Sequence, residues 1–168
     1  MAEKQEKKLV GIVMGSTSDW DIMKEAAKMC RDFGIPFETR ALSAHRTPEE
    51  LSNWIAKMEA QGAQAIIAGA GGAAHLAGVV ASHTILPVFG VPIPSKYMKG
   101  MDSLLSMVQM PKGIPVSTLA IGEAGAANAA LAVVAVLALN DPEMREKLLA
   151  FRHRQVDKVR GAVIPELD

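Results

Sequence analysis

The residues best suited to chemistry fall in three short stretches. The first, Ser43-Ala44-His45-Arg46-Thr47-Pro48, sets an imidazole beside a guanidinium. A free imidazole titrates near ~6.5, so it can give a proton and take one back at neutral pH. A guanidinium grips phosphate oxygens with paired hydrogen bonds. The second, Gly15-Ser16-Thr17-Ser18-Asp19, offers two hydroxyls (Ser16 and Ser18), backbone amides and a carboxylate. Amides at a helix start favour a phosphate. Asp19 would repel that phosphate, so it is better placed to accept hydrogen bonds from ribose hydroxyls. The third, Gly69-Ala70-Gly71-Gly72-Ala73-Ala74, carries no reactive side chain before His75. Its glycines allow close backbone approach, either to present amides to a small anion or to line a tight apolar pocket.

Each stretch also has a plainer reading. A His-Arg pair in a loop is ordinary solvated surface. Ser18 followed by Asp21 is a capping box at a helix start. A glycine run can be simple strand–helix packing. The three gain meaning only if one fold brings them together.

The surrounding pattern predicts that it does. Leu9–Met14, Phe37–Leu42, Ala65–Ala68, Pro87–Val91 and Val116–Ala120 are short strand-like runs. The first is apolar without alternation, as suits a strand buried on both faces of a parallel sheet. Between them lie helical spacings. Trp20, Met23, Ala26, Ala27, Cys30 and Phe33 mark one helix, closed by Gly34 and Pro36. Thr47, Pro48 and Glu50 form a start signal for the next, which shows Leu51, Trp54, Ile55 and Met58 on one face. Shorter helices are expected from about His75 to Ser82 and from Asp102 to Val108. Pro92-Ile93-Pro94-Ser95 forces an extended path between them. Ala124–Leu139 is apolar nearly all round, so it is buried in the fold or between subunits. Asn140-Asp141-Pro142 caps a charged last helix from Glu143 to about Arg160.

Alternating strands and helices imply a parallel sheet with helices on both faces. In such a sheet every strand-to-helix loop lies on one edge, where ligands bind. The three stretches are three such loops. Together they offer a phosphate grip, a ribose acceptor, one acid/base group and a small neutral cavity. That combination fits proton transfer on a ribonucleotide-sized ligand without a cofactor. The P-loop and dinucleotide glycine patterns are missing. The four histidines are scattered, so no metal site is expected.

The chain has 168 residues, 49% of them apolar, enough for one α/β domain spanning 1–168. Residues 1–8 are charged and read as a flexible tail, and 143–168 as a C-terminal helix and tail. Net charge is zero, which gives no pull toward nucleic acid or an anionic membrane. The longest apolar run, Ala129–Leu139, is too short for a bilayer span of about 20 residues. A lone cysteine, Cys30, fits a reducing, cytoplasmic setting.

Five motifs stand in a recognisable order. They are Met14-Gly15-Ser16-Thr17-Ser18-Asp19-Trp20, Ser43–Pro48, Gly69–Leu76, Asp102-Ser103-Leu104 and Val108-Gln109-Met110-Pro111. They resemble the class I N5-carboxyaminoimidazole ribonucleotide mutases of purine biosynthesis, over about Val10 to Asn140. Class II relatives, which carboxylate aminoimidazole ribonucleotide with CO2, carry Lys-Gly where this chain has Arg46-Thr47. One departure is Ala77, where the family usually has Pro.

The resemblance implies a flavodoxin-like three-layer α/β/α sandwich with a five-stranded parallel sheet and extra C-terminal helices. It implies a homo-octamer with sites near subunit junctions and intersubunit packing by the last helices. Transient contact with the enzyme that makes the carbamate substrate is a further expectation. His45 becomes the general acid/base. Ser16, Ser18, Ser43 and Arg46 would hold phosphate, and Asp19 the ribose. Gly71, Gly72, Ala73, Ala74 and Leu76 would line the pocket that confines CO2. Met110 and Pro111 would belong to a lid over this site or a neighbour's. His75 is assigned a supporting place behind these contacts, and His83 and His153 none. Two rival readings differ in class: a CO2-using class II carboxylase, and a non-catalytic nucleotide-binding module.

Overall fold

The computed structural model describes residues 9–165. The expected tail at 1–8 lies outside the described residues, as do the last three positions of the C-terminal segment. The elements run in strict alternation through most of the chain. They are β1 (Leu9–Met14), α1 (Trp20–Asp32), β2 (Phe37–Ala41), α2 (Pro48–Ala60), β3 (Ala63–Gly71), α3 (Leu76–Ser82), β4 (Val88–Ile93), α4 (Met101–Val108), β5 (Ser117–Thr118), α5 (Glu123–Leu137) and α6 (Pro142–Arg160). A single 3-10 turn, Thr17–Asp19, leads into α1.

All strand pairs are parallel, in the order β2-β1-β3-β4-β5. This is the flavodoxin-type doubly wound order, in which the chain turns in opposite directions on the two sides of β1 and β3. Two apolar layers sandwich the sheet. Val10, Ile12 and Met14 of β1 pack on one side with Met23 and Cys30 of α1 and Ala126, Ala130 and Val133 of α5. Val13 points to the other side, with Leu51, Trp54 and Met58 of α2 and Val80 of α3. That alternation is the two-residue period of a strand buried on both faces.

Several boundaries differ from expectation, for physical reasons. β3 continues to Gly71 rather than ending at Ala68. Gly69 is there to admit a helix, not to turn the chain. A Cβ on it would collide with the sulfur of Met23 and come within 2.9 Å of its Cγ. β4 likewise runs on through Pro92 to Ile93. β5 shrinks to two residues, paired with β4 at the edge of the sheet. The helix apolar all round, α5, buries its Ala-rich face against α1 and the sheet and leaves Val136 partly exposed. Asp141 caps α6 as expected, accepting the amide of Met144.

Both expected capping boxes are replaced. The box at α1 is Ser16 with Asp19, two residues earlier than Ser18 with Asp21. Asp21 pairs with Lys24 instead, at 2.9 Å. At α2, Pro48 takes the first helical position, but Thr47 makes no cap bond to the helix. Its Oγ1 turns back to Ser43, accepting that residue's amide at 2.9 Å and donating to its carbonyl at 3.1 Å.

On the outer side of the sheet Glu38 anchors α2. It accepts from Trp54 Nε1 at 3.0 Å, Lys57 Nζ at 2.9 Å and Arg40 Nε at 2.9 Å. The Lys57 ammonium, helped by the other two donors, holds the Glu38 carboxyl below its ordinary range. Among the described residues no helix is long and apolar enough to cross a membrane.

Candidate active site

Strands β1, β2, β3 and β4 all end on one edge, with Met14 beside Ala41 and Gly69, and Gly71 beside Ile93. Their exit loops surround a cavity of about 330 Å³ at the point where the winding reverses. The lining comes from all four: Gly15, Ser16, Ser18 and Asp19; then Ser43, Ala44, His45 and Arg46; then Ala70, Gly71, Gly72, Ala73 and Leu76; then Ile93, Pro94 and Ser95.

Ten of the eleven expected catalytic and substrate residues therefore meet at one cavity. The exception is Ala74, which is buried behind the wall. Neither Met110 nor Pro111 lines the cavity of its own chain. The Met110 side chain lies instead against Gly78 of α3. Sequence reasoning missed Ser95 and the loop after β4. The available signal was topological, since a fourth parallel strand must deliver its exit to the same edge.

The first loop is built around a serine–carboxylate exchange. Asp19 Oδ2 accepts the Ser16 amide at 3.0 Å, while Ser16 Oγ accepts from the Ser18 amide at 3.3 Å and the Ser18 hydroxyl at 2.9 Å. Burial raises the Asp19 pKa, against the pull of the Ser16 and Gly15 amides. A carboxyl that loses its charge more readily is less hostile to a neighbouring anion.

The second loop is organised by Ser43. Its hydroxyl oxygen accepts from the amides of His45 and Arg46, at 3.3 and 3.2 Å, and from Arg46 Nε at 3.4 Å. With its oxygen engaged as acceptor, the Ser43 hydroxyl keeps its proton for a further partner. Arg46 Nη2 reaches across to the carbonyl of Gly15 at 3.3 Å, tying the β2 loop to the β1 loop. A guanidinium has five N–H groups, so three remain for a ligand.

His45 Nε2 lies 2.8 Å from His75 Nδ1, with the rings edge to face at 83° and centroids 4.9 Å apart. One proton between two nitrogens couples the tautomers of the two rings: whichever ring donates, the other accepts. His75 thus touches the expected acid/base and is not among the residues lining the cavity, a supporting place behind the substrate contacts.

The third loop is short because β3 is long. Gly72, at φ +70°, makes the turn out of the strand. Its amide donates to Ser103 Oγ of α4 at 3.0 Å. No group of three or more His, Cys, Asp or Glu positioned to hold a metal exists among the described residues. Cys30 is buried, and burial pushes its thiol up to about 12, so it is no nucleophile.

The family model for AIR carboxylase matches residues 9–158, all four site loops included. The chain belongs to the AIR carboxylase family. Among curated members of that family, the N5-carboxyaminoimidazole ribonucleotide mutase of Vibrio cholerae is 55% identical over 150 residues, spanning 89% of this chain and 93% of the relative. The mutase of the same name from Pyrococcus horikoshii is 54% identical over 156 residues, or 93% of this chain and 87% of the relative. The crystal structure of Treponema denticola PurE superposes with a TM-score of 0.82 at 29% identity, covering 90% of this chain and 93% of that one. The family match and the relatives named mutases agree with the resemblance of the five motifs to the N5-carboxyaminoimidazole ribonucleotide mutases.

Proposed function

We propose that this chain is an N5-carboxyaminoimidazole ribonucleotide mutase of purine biosynthesis, with His45 as its general acid and base. The observation that carries the reading is the position of His45. Its imidazole lines the same cavity as the neutral wall Gly71-Gly72-Ala73, the phosphate-suited Ser16 and Ser18, and Arg46. The similarity to curated mutases at 50–55% identity supports the reaction class.

The chemistry follows from what each part offers. The substrate carries a carbamate on its exocyclic nitrogen. His45, protonated, gives its proton to that nitrogen as the N–C bond breaks and CO2 leaves. The bond's electron pair takes up that proton as a new N–H bond, and the nitrogen lone pair, no longer drawn into the carboxylate, makes C4 of the aminoimidazole nucleophilic. C4 attacks the same CO2, a C–C bond forms, and the C4 proton passes to neutral His45. The imidazole ends as it began, so no cofactor enters the balance. Holding CO2 against a small-residue wall makes its recapture a local event. Arg46, Ser16, Ser18 and Ser43 bind the phosphate and Asp19 the ribose. His75 shares a proton with His45 and keeps its ring aimed.

Octameric assembly and a cytoplasmic setting belong to the same proposal, as does transient contact with the enzyme that supplies the labile carbamate. The exposed Val136 of α5 and Leu149, Val156 and Val159 of α6 supply an apolar surface for such packing. The segment with Met110 and Pro111 serves as a lid at a neighbour's site.

The test is a spectroscopic assay with the carbamate nucleotide. Wild-type protein converts it without added bicarbonate. His45→Asn loses turnover and keeps nucleotide binding. Comparable turnover in His45→Asn removes the acid/base assignment. A strict need for bicarbonate with the decarboxylated nucleotide makes the protein a class II carboxylase. Binding without any conversion makes it a nucleotide-binding module.

A further inference from the structure

Asp102-Ser103-Leu104 is a motif that the reaction chemistry above leaves without a role. Its central residue is unusual. Ser103 is fully buried, and among the described residues it is the one polar side chain in the buried class. A buried hydroxyl is costly unless its donor and acceptor are both used. Here both are. Ser103 Oγ donates to the Ile93 carbonyl at 2.7 Å and accepts the Gly72 amide at 3.0 Å. It therefore joins the end of β4 to the turn after β3, and both Ile93 and Gly72 line the cavity. Ser106, one turn along α4, points its hydroxyl to the Gly72 carbonyl at 3.3 Å. The same Oγ lies closer to the Asp102 carbonyl, at 2.7 Å, so this second hold on Gly72 is the weaker.

Gly72 needs holding. It sits at φ +70°, the left-handed region; its carbonyl is held by the Ala74 amide at 2.8 Å, while its own amide is held by Ser103. The same helix end also fixes the loop after β4. Asp102 Oδ1 accepts from Ser95 Oγ at 2.6 Å and from the Ser103 amide at 3.0 Å. These bonds hold the Asp102 carboxyl below its usual range, the Ser95 hydroxyl contributing most.

We propose that Ser103 is a positioning residue for the reaction: its buried hydroxyl clamps the Gly72 peptide so that the glycine wall keeps the shape that retains released CO2. The proposal rests on the mutase reading. It assigns Ser103 no contact with substrate and no part in proton transfer. Its signature is leakage. A wall that has lost its clamp lets CO2 leave before C4 captures it, so decarboxylated nucleotide accumulates in place of product.

The experiment measures how the carbamate nucleotide partitions between C4-carboxylated product and aminoimidazole ribonucleotide plus bicarbonate, corrected for loss without protein. Ser103→Ala is expected to lower kcat on the order of tenfold, the effect of about one buried hydrogen bond. It raises the leaked fraction several-fold and leaves KM near the wild-type value, since the residues assigned to phosphate and ribose stand on the loops after β1 and β2 and Ser103 bonds to neither. Gly72→Ala perturbs the same wall from the other side. Its Cβ meets nothing within 4 Å, yet the backbone angle is strained for alanine. It is expected to leak as well, and it carries the test if Ser103→Ala does not fold. Converting wild type with wild-type partitioning in the folded variants overturns the clamp alone. A wild type that does not convert the carbamate nucleotide overturns the functional reading and the clamp with it.

Discussion

Replacing Arg46 tests how the loops share one guanidinium. Its Nε reaches Ser43 Oγ at 3.4 Å and its Nη2 reaches the Gly15 carbonyl at 3.3 Å. Both are long bonds at an exposed side chain, so their loss costs the fold less than about 1 kcal/mol. Three N–H groups stay available to a phosphate. A hydrogen bond to a charged partner contributes about 1.5–3 kcal/mol, which corresponds to roughly 10- to 150-fold in affinity. Arg46→Ala should lose that factor and Arg46→Lys should fall between. Lysine keeps the charge but cannot brace two loops and fork onto a phosphate together. Calorimetric titration with aminoimidazole ribonucleotide, in the absence of CO2, isolates binding from turnover. Repeating it at higher ionic strength should weaken wild type more than Arg46→Ala. An alanine variant that binds within about twofold of wild type at both salt levels would show the phosphate grip lies elsewhere.

Two further outcomes are expected. Gly69→Ala drives a methyl onto the Met23 side chain beneath α1 and should cost about 1–3 kcal/mol, read by urea unfolding at fixed protein concentration. Pairing it with Met23→Ala should make the double variant more stable than the two single losses add up to; strict additivity refutes the collision. Glu38→Gln should alter the acid limb of stability. The Glu38 pKa is lowered on folding, so its contribution is full above the ordinary value of 4.5 and fades as pH falls through the depressed one. The variant should lose less than about 1 kcal/mol near neutrality, and the gap should close in acid. A gap that persists there assigns the effect to packing against Trp54.

Legibility in the sequence depended on how local the deciding interaction was. β1, α1 and α6 announce themselves through an apolar run, a helical stripe and an Asp-Pro cap. The start of α1 is ambiguous by two residues in the sequence because Ser16–Asp19 and Ser18–Asp21 overlap as equivalent patterns. Only the three-dimensional placement of the Asp19 carboxylate on the Ser16 amide decides between them. The end of β3 was misread because Gly69-Ala70-Gly71 has loop composition. Its small residues answer to Met23 from α1, a contact 46 positions away in sequence. At the site, hydroxyls, His45 and Arg46 carry their chemistry in their types. Ser95 and Ser103 do not; a serine gains meaning from its partners, and those of Ser103 lie 31 and 10 residues distant.

The buried thiol of Cys30 turns the chain into its own clock. Only a thiolate attacks an alkylating reagent at speed, and a thiol pushed up to about 12 and sealed inside α1 supplies none in the closed molecule. Labelling must wait for an opening event, so its rate counts how often α1 lifts from the sheet. Because Asp19 and the serine loop stand at the head of that helix, a ligand seated there should slow the count, and a single mass measurement would register its arrival.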